Sequence, residues 1–176
     1  TLESAGKKVE IIYPGHGRDH FPFPLNTLRE NHHSFIPDLI ISCDTPDPRR
    51  LYLPQEFAQI THITIDHHQN HHISALFSFV DTTATSSCEI VYRLLMDWQR
   101  PITPIMADQL LFGIMCDTLN FRVPGTSAAT LRTAADLIEK GANLAKLNNA
   151  LIVHKDPAVL MLWGTLLQSA TYNEAK

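Results

Sequence analysis

Long apolar runs are missing from this 176-residue chain. None approaches the roughly 20 residues that a membrane-spanning helix needs, so no membrane partner is expected. Basic runs are missing too. With 14 Lys and Arg against 18 Asp and Glu the formal net charge is −4, which gives no sign of strong binding to duplex DNA. Cysteine is scarce: Cys43, Cys88 and Cys116 are odd in number and far apart. No CxxC or Cys/His zinc spacing occurs, so reduced thiols in a cytoplasmic core are expected rather than a disulfide framework. The start shows neither a signal-peptide pattern nor a methionine, and the first residues read as the tail of a helix already under way. The chain is therefore expected to be a fragment. Repeats, low-complexity stretches and domain linkers are lacking as well. Hydrophobic residues at 44% and charged ones at 18% exclude wholesale disorder and leave a globular domain with one good core.

Histidine, by contrast, is abundant. There are ten, with adjacent pairs at His32-His33, His67-His68 and His71-His72. The pair that organises the chain closes Ile63-Thr-Ile-Asp66-His67-His68, a run of β-formers ending in a carboxylate and two imidazoles. A buried strand that delivers its last side chains to a sheet edge is a common way to build a site. Asp and His are ligands for hard to borderline metals, and they can also titrate.

Around that run the pattern predicts a parallel α/β domain. A helix end over Leu2–Lys8, with Gly6 as its cap, leads into a strand over Val9–Tyr13 stopped by Pro14-Gly15. His16-Gly-Arg-Asp19-His20 offers ligand types but sits in a Gly-containing surface loop, and Leu25–His33 reads as a short helix. Pro37–Cys43 is a near-continuous apolar strand, as expected in a sheet covered on both faces, and it ends at Asp44. Tyr52–Gln59 reads as partly helical, and strands come next over Ile60–Ile65 and Ala75–Val80. Ser86 with Glu89 fits a capping box, after which Ile90, Val91, Leu94, Leu95 and Trp98 share a helical face. Ser86 and Ser87 either cap that helix or hold an anion there. From Pro104, an accepted helix start, Met106, Leu110, Gly113, Ile114 and Asp117 fall on one stripe. A carboxylate on a core face costs several kcal/mol unless paired or metal-bound, so Asp117 is a stronger ligand candidate than an exposed acid. Thr126 or Ser127 caps a helix to Lys140 with Leu131, Ala134, Ala135 and Ile138 inward and Gly141 as its stop. Two more helices are expected over Ala142–Val153 and Pro157–Ala170. The Leu and Met stripe of the last one is core or a docking face.

Taken in order, these segments resemble the DHH phosphoesterase superfamily over almost the whole chain. The triplet that gives the family its name stands as Ile65-Asp66-His67-His68. The upstream acid motif is similar to Ser42-Cys-Asp44-Thr-Pro-Asp47-Pro-Arg-Arg50-Leu51, and the downstream partner to Asp81-Thr-Thr-Ala-Thr-Ser-Ser-Cys-Glu89. The later pattern is similar to Gly113-Ile-Met-Cys-Asp117-Thr-Leu-Asn-Phe121-Arg122 and the segments Thr130–Ile138 and Gly141-Ala-Asn143. Within the superfamily the chain looks most like the bacterial nanoRNase/pAp-phosphatase branch.

The resemblance implies a parallel-sheet, doubly wound DHH domain with a helical C-terminal part. It implies a manganese-dependent phosphoesterase acting on short single-stranded RNA or on 3′-phosphoadenosine 5′-phosphate (pAp). Carried over residue by residue, Asp44, His67 and Asp117 would be metal ligands, with Asp44 between two ions. Two Mn2+ are expected, with Mg2+ as an alternative, because carboxylate and imidazole suit these ions. His68 would contact the scissile phosphate and Asp66 would orient the histidines from behind, both counted as catalytic. Arg50 or Arg122 would hold a substrate phosphate. A homodimer is a further assembly the resemblance allows.

Two departures stand out. The family's first strand ends in a His-x-x-x-Asp-x-Asp type motif, which nothing here matches, since His16–His20 has the wrong spacing and position. The family also carries a C-terminal substrate-binding domain with a glycine-rich motif, and this chain stops at about the linker to it. Residues 1–176 are therefore expected to be a partial DHH domain, inactive or nearly so alone. Other readings are a cyclic-dinucleotide phosphodiesterase or pyrophosphatase of the same superfamily, and, in another class, a non-catalytic module that binds nucleotides or a partner.

Overall fold

The computed structural model describes residues 2–12, 22–23, 28–29, 34–153 and 157–171. At the amino end a short 3-10 turn, Glu3–Ala5, is stopped by Gly6. That glycine sits at φ 73° and returns its N–H to Glu3 O, a conformation a side chain would oppose. Strands β1 (Ile11–Ile12) and β2 (Leu28–Arg29) then pair in parallel as a separate ribbon. Strand β2 falls where a helix over Leu25–His33 was expected, because pairing with β1 overrides the local pattern at those two residues. The rest of that stretch, His32-His33 included, and the His16–His20 loop lie outside the described residues.

Three strands form the main sheet: β3 (Leu39–Cys43), β4 (Thr61–Asp66) and β5 (Phe77–Val80), all parallel and side by side in chain order. The connections between them are 3-10 turns and loops, not α-helices. Register sets which side chains meet at the sheet edge. Cys43 pairs with Ile65, and the ladder runs one residue further as Asp44 N–H donates to Ile65 O at 3.0 Å. Asp44 and Asp66 thus emerge next to each other at the carboxyl edge. The expectation that β3 is covered on both faces fails. Helix α1 (Ser87–Asp97) lies against β4, while Leu39, Ile41 and Phe77 stay exposed.

The core sits among the helices rather than on the sheet. Helix α2 (Pro104–Asp117) is apolar around its circumference, as a helix packed from several sides must be. Its Ala107, Leu111, Ile114 and Met115 are fully buried against α1, α3 (Ala128–Glu139) and α4 (Leu144–Val153), with Leu137 and Leu147 reaching in. Each such aliphatic side chain stabilises the fold by about 1.5–3 kcal/mol. Ser86, Thr103 and Ser127 start α1, α2 and α3. Each hydroxyl accepts the N–H three residues on, from Glu89, Met106 and Thr130, which satisfies an otherwise orphaned donor.

Glu89 departs from the capping box read in the sequence. Its Oε2 accepts from Thr85 N (3.2 Å), Thr85 Oγ1 (3.0 Å) and Thr130 Oγ1 (3.2 Å) instead of returning to Ser86. A buried carboxylate needs those donors, and supplying one turns the Thr130 face of α3 inward. Thr130, Thr133, Ala134 and Leu137 are buried, whereas Leu131, Ala135 and Ile138, expected inside, are exposed. Helix α5 (Pro157–Ser169) is exposed along its length, so its Leu and Met stripe is not core among the described residues. No described helix is long and apolar enough to cross a membrane.

Gly113 is where α1 and α2 touch. A Cβ there would lie 2.2 Å from Cys88 Sγ and 3.1 Å from its Cβ. Gly113→Ala is expected to force the helices apart and cost about 2 kcal/mol, read as a lower urea midpoint. An unchanged midpoint would mean that Cys88 simply rotates away.

Candidate metal centre

The carboxyl edge of the sheet and the end of α2 meet at one point. Asp44 follows β3 at φ 57°, a left-handed conformation that costs an ordinary residue about 1–2 kcal/mol. Its Oδ1 accepts a 3.0 Å hydrogen bond from Ser87 Oγ, the second serine of the β5–α1 turn motif. Ser86 is thus the cap, and Ser87 ties the start of α1 to Asp44 rather than standing free for an anion. Asp81, at the head of the same motif, is fully engaged. It accepts from Thr83 and pairs with Arg93 at 2.8 Å.

Asp66 closes β4 with no exposure at all. Its Oδ1 accepts from the backbone N–H of His67 (2.7 Å) and His68 (3.1 Å) and from His68 Nδ1 (2.6 Å). These bonds bend the chain into a turn as soon as the strand ends and set the two imidazoles edge to face, with centroids 4.6 Å apart. Burial pushes the Asp66 carboxyl up, but bonds from His68, His71 and the two amides outweigh it and hold it below its ordinary value. Asp66 is an anion with its lone pairs spoken for.

Asp117, the last residue of α2, is exposed and not on a core face as its stripe suggested, because the helix ends there at the rim of the site. His67 Nε2 lies 3.3 Å from Asp44 Oδ1 and 4.0 Å from Asp117 Oδ2, and His68 Nδ1 is 3.9 Å from Asp44 Oδ1. Adjacent ligands on a divalent ion bound at about 2.1 Å stand about 3 Å apart, so the Asp44–His67 pair is spaced to share one, whereas Asp117 would have to move about 1 Å toward His67 to join them. Ligand atoms of Asp44, Asp66, His67 and His68 all fall within 4.8 Å of one another, and Asp117 stands beside this group, approaching His67 at 4.0 Å. Burial and then the Asp44 carboxylate push the Asp117 carboxyl up to about 6, against the pull of His67 and His68. The thiols do not compete. Burial first, then Asp117, Cys43 and Asp44, raise Cys88 to about 12, leaving it a protonated, poor ligand.

Asp117 is held from behind by an uncommon turn. Leu119, Asn120 and Phe121 have φ of 47°, 60° and 64° in succession. Fully buried Thr118 organises them, donating Oγ1–H to Ile114 O at 2.6 Å and accepting from Phe121 N at 3.0 Å. Leu119 is 61% exposed, so little packing repays its strain. Leu119→Gly is expected to stabilise the fold by about 0.5–1 kcal/mol, seen as a higher guanidinium midpoint; a lower one would mean the turn is not strained.

The two arginines singled out in the sequence sit apart from these contacts. Arg50 is exposed on the Pro48–Arg50 turn, where its neighbour Arg49 pairs with Asp47 at 2.6 Å. Arg122 is exposed, its Nε donating to Leu119 O at 2.7 Å.

With these residues in place, residues 3–114 match the family described as "DHH family, N-terminal domain". The chain belongs to the DHH family. It is 30% identical to the bifunctional oligoribonuclease and PAP phosphatase NrnA of Bacillus subtilis over 139 residues, 77% of this chain and 44% of that protein. The protein of the same name from Thermus thermophilus is 29% identical over 139 residues, 76% of this chain and 40% of its own. The chain thus spans less than half the length of these relatives. In fold it is similar to an exopolyphosphatase-related protein from Bacteroides fragilis, at TM-score 0.85 and 19% identity, covering 97% of this chain and 55% of that one. Sequence reasoning missed Ser87 as a support of Asp44, although a second hydroxyl beyond the capping Ser86 was the available hint. It also missed His71, whose Nδ1 lies 2.8 Å from Asp66 Oδ2.

Proposed function

We propose that this DHH chain carries the site of a two-metal phosphoesterase that hydrolyses short oligoribonucleotides and pAp. What supports the reading most is the grouping of Asp44, His67 and His68 ligand atoms at the sheet edge, with Asp117 4.0 Å from His67 and His68 already clamped by Asp66. In the reading Asp44, His67 and Asp117 hold the ions, with Mn2+ first and Mg2+ second by the all-oxygen-and-imidazole donor set. When bound, such ions neutralise phosphate charge and acidify a water into a nucleophile.

The remaining work falls to the protein's own groups. Asp66 keeps a proton on His68 Nδ1 and stabilises the ring when Nε2 is protonated as well. His68 can then present an N–H and a positive charge to a phosphoryl oxygen, a contact that strengthens as negative charge develops there. The net charge of −4 leaves no general attraction for a long polyanion, which suits a short substrate gripped at one phosphate. Arg50 and Arg122 are exposed, Arg122 with its Nε already given to Leu119 O, and in the reading one of them meets a second phosphate.

The test is hydrolysis of pAp, an RNA dinucleotide, cyclic di-AMP and pyrophosphate with Mn2+, using the entire gene product that contains these residues. Turnover of pAp and the dinucleotide, lost on adding EDTA, is expected. Turnover of pyrophosphate alone, or of none of the four, would overturn the reading.

A further inference from the structure

The site depends on how the buried Asp66 carboxylate is held. The terminal torsion of an aspartate is a broad, roughly two-fold rotor. Three donors on Oδ1 hold that oxygen, and the tilt of the carboxylate plane then depends on what holds Oδ2. Locking needs a partner on the other oxygen. Among the described residues Oδ2 has one, His71 Nδ1 at 2.8 Å, on a side chain only 11% exposed.

His71 is itself well anchored. The next residue, His72, donates its N–H to Pro46 O at 2.8 Å, in the loop that leaves Asp44. Ile73 is 6% exposed, and Leu76 N–H returns to His62 O at 2.9 Å. The segment carrying His71 is therefore tied by one hydrogen bond to the loop after Asp44 and by another to β4, and it is anchored between them by the buried Ile73. A donor held this firmly can transmit position rather than yield to it.

The chemistry also fixes the tautomers. An ionised carboxylate only accepts, so His68 and His71 must each carry a proton on Nδ1. That choice leaves His71 Nε2, which is buried and meets no protein group among the described residues, as a bare lone pair. An orphaned acceptor is easier to tolerate than an orphaned buried N–H.

We propose that His71 is a positioning residue for this site: its Nδ1–H pins Asp66 Oδ2, so that Oδ1 fixes the His68 ring and its tautomer. The two imidazoles grip one buried carboxylate from opposite oxygens. His71 touches no substrate and holds no ion. Its effect on catalysis rests on the reading of His68 as the phosphate contact, but its effect on the His68 ring does not.

Long-range 1H–15N correlation of the 176-residue chain at pH 8.5, with no metal added, reads the protonated nitrogen of each imidazole and so separates the two effects. Protons on Nδ1 of both His68 and His71 are expected. His71→Phe removes the donor, and the His68 signals should move to the mixture of an unconstrained imidazole. His71→Asn places an amide N–H at the Nδ1 position and should restore the His68 tautomer. In the entire gene product His71→Phe should lower kcat about tenfold with KM little changed, and His71→Asn should recover it. A His71 proton on Nε2 in the wild type, or an unchanged His68 in a folded His71→Phe chain, overturns the proposal. If the Phe variant does not fold, the wild-type tautomers and the Asn variant decide it. Fixed tautomers in a protein that hydrolyses no phosphoester would leave His71 in its role and remove only the phosphoesterase reading.

Discussion

Asp66→Asn is expected to lower the stability of the fold by about 3 kcal/mol at pH 7, with a midpoint about 6–12 °C lower in a thermal melt followed by circular dichroism. The side chain is fully buried and receives four donors, two of them backbone N–H groups that turn the chain at the end of β4. An amide has one oxygen to offer them. With that oxygen at Oδ1, the NH2 confronts His71 Nδ1–H donor to donor. His71 can escape by moving its proton to Nε2, but that leaves an unpaired N–H in a buried position, and the charge-assisted character of all four bonds is lost. The pH dependence carries a sign. The folded Asp66 carboxyl is held below its unfolded value by its hydrogen bonds, so its contribution is present above the unfolded carboxylate pKa of about 3.9 and disappears as pH falls through the folded one. The wild type should therefore lose stability more steeply than the Asn variant on acidification below about pH 4. A variant within 1 kcal/mol of wild type at pH 7 would mean that the carboxylate is better hydrated than its burial indicates.

How much of this was open to a reader of the sequence depends on the distance over which each feature is encoded. The cap at Ser86, the helix start at Pro104, the cap at Thr126 or Ser127 and the acids closing β3, β4 and α2 are local, so Asp44, Asp66-His67-His68 and Asp117 could be picked out as chain-end carboxylates and imidazoles. Their meeting point is not local. It arises from the Cys43–Ile65 register and from α2 ending beside it, which periodicity does not report. Helix α3 misled for a related reason. Leu131 and Ile138 make the better apolar stripe, but the buried Glu89 of a distant helix draws the Thr130 hydroxyl inward. His71 was hidden because a loop returning over five residues leaves no periodic trace, and in a His-rich stretch one more imidazole looks like surface. The run of left-handed residues at Leu119–Phe121 had no signal, since Leu and Phe are residues that disfavour it.

Asp117→Asn should act in opposite directions with and without metal. In EDTA at pH 7.5 the folded chain carries Asp117 as an anion that its surroundings resist, with the carboxyl pushed up to about 6 by burial and by Asp44. Because that value lies above the unfolded one, the folded state binds the proton more tightly, and stability from this group falls as pH rises from about 4 to about 6. Above that window the ionised side chain is a net cost. It is 32% exposed, so solvent screening reduces the full linkage value to about 1 kcal/mol, and the Asn variant should melt about 2–4 °C higher than wild type. With Mn2+ the order reverses. A ligand at 100 times its Kd stabilises the wild type by about 2.7 kcal/mol, while loss of one charged ligand should weaken binding by at least about 100-fold and abolish most of that gain. Calorimetric titration and melts in EDTA and in Mn2+ check both halves. An Asn variant less stable than wild type in EDTA would make Asp117 an ordinary structural acid, and an intact Mn2+ shift would remove it from the ligand set. The two-signed result is what separates a carboxylate placed for a cation from one placed for the fold, because only the former is destabilising until its ion arrives.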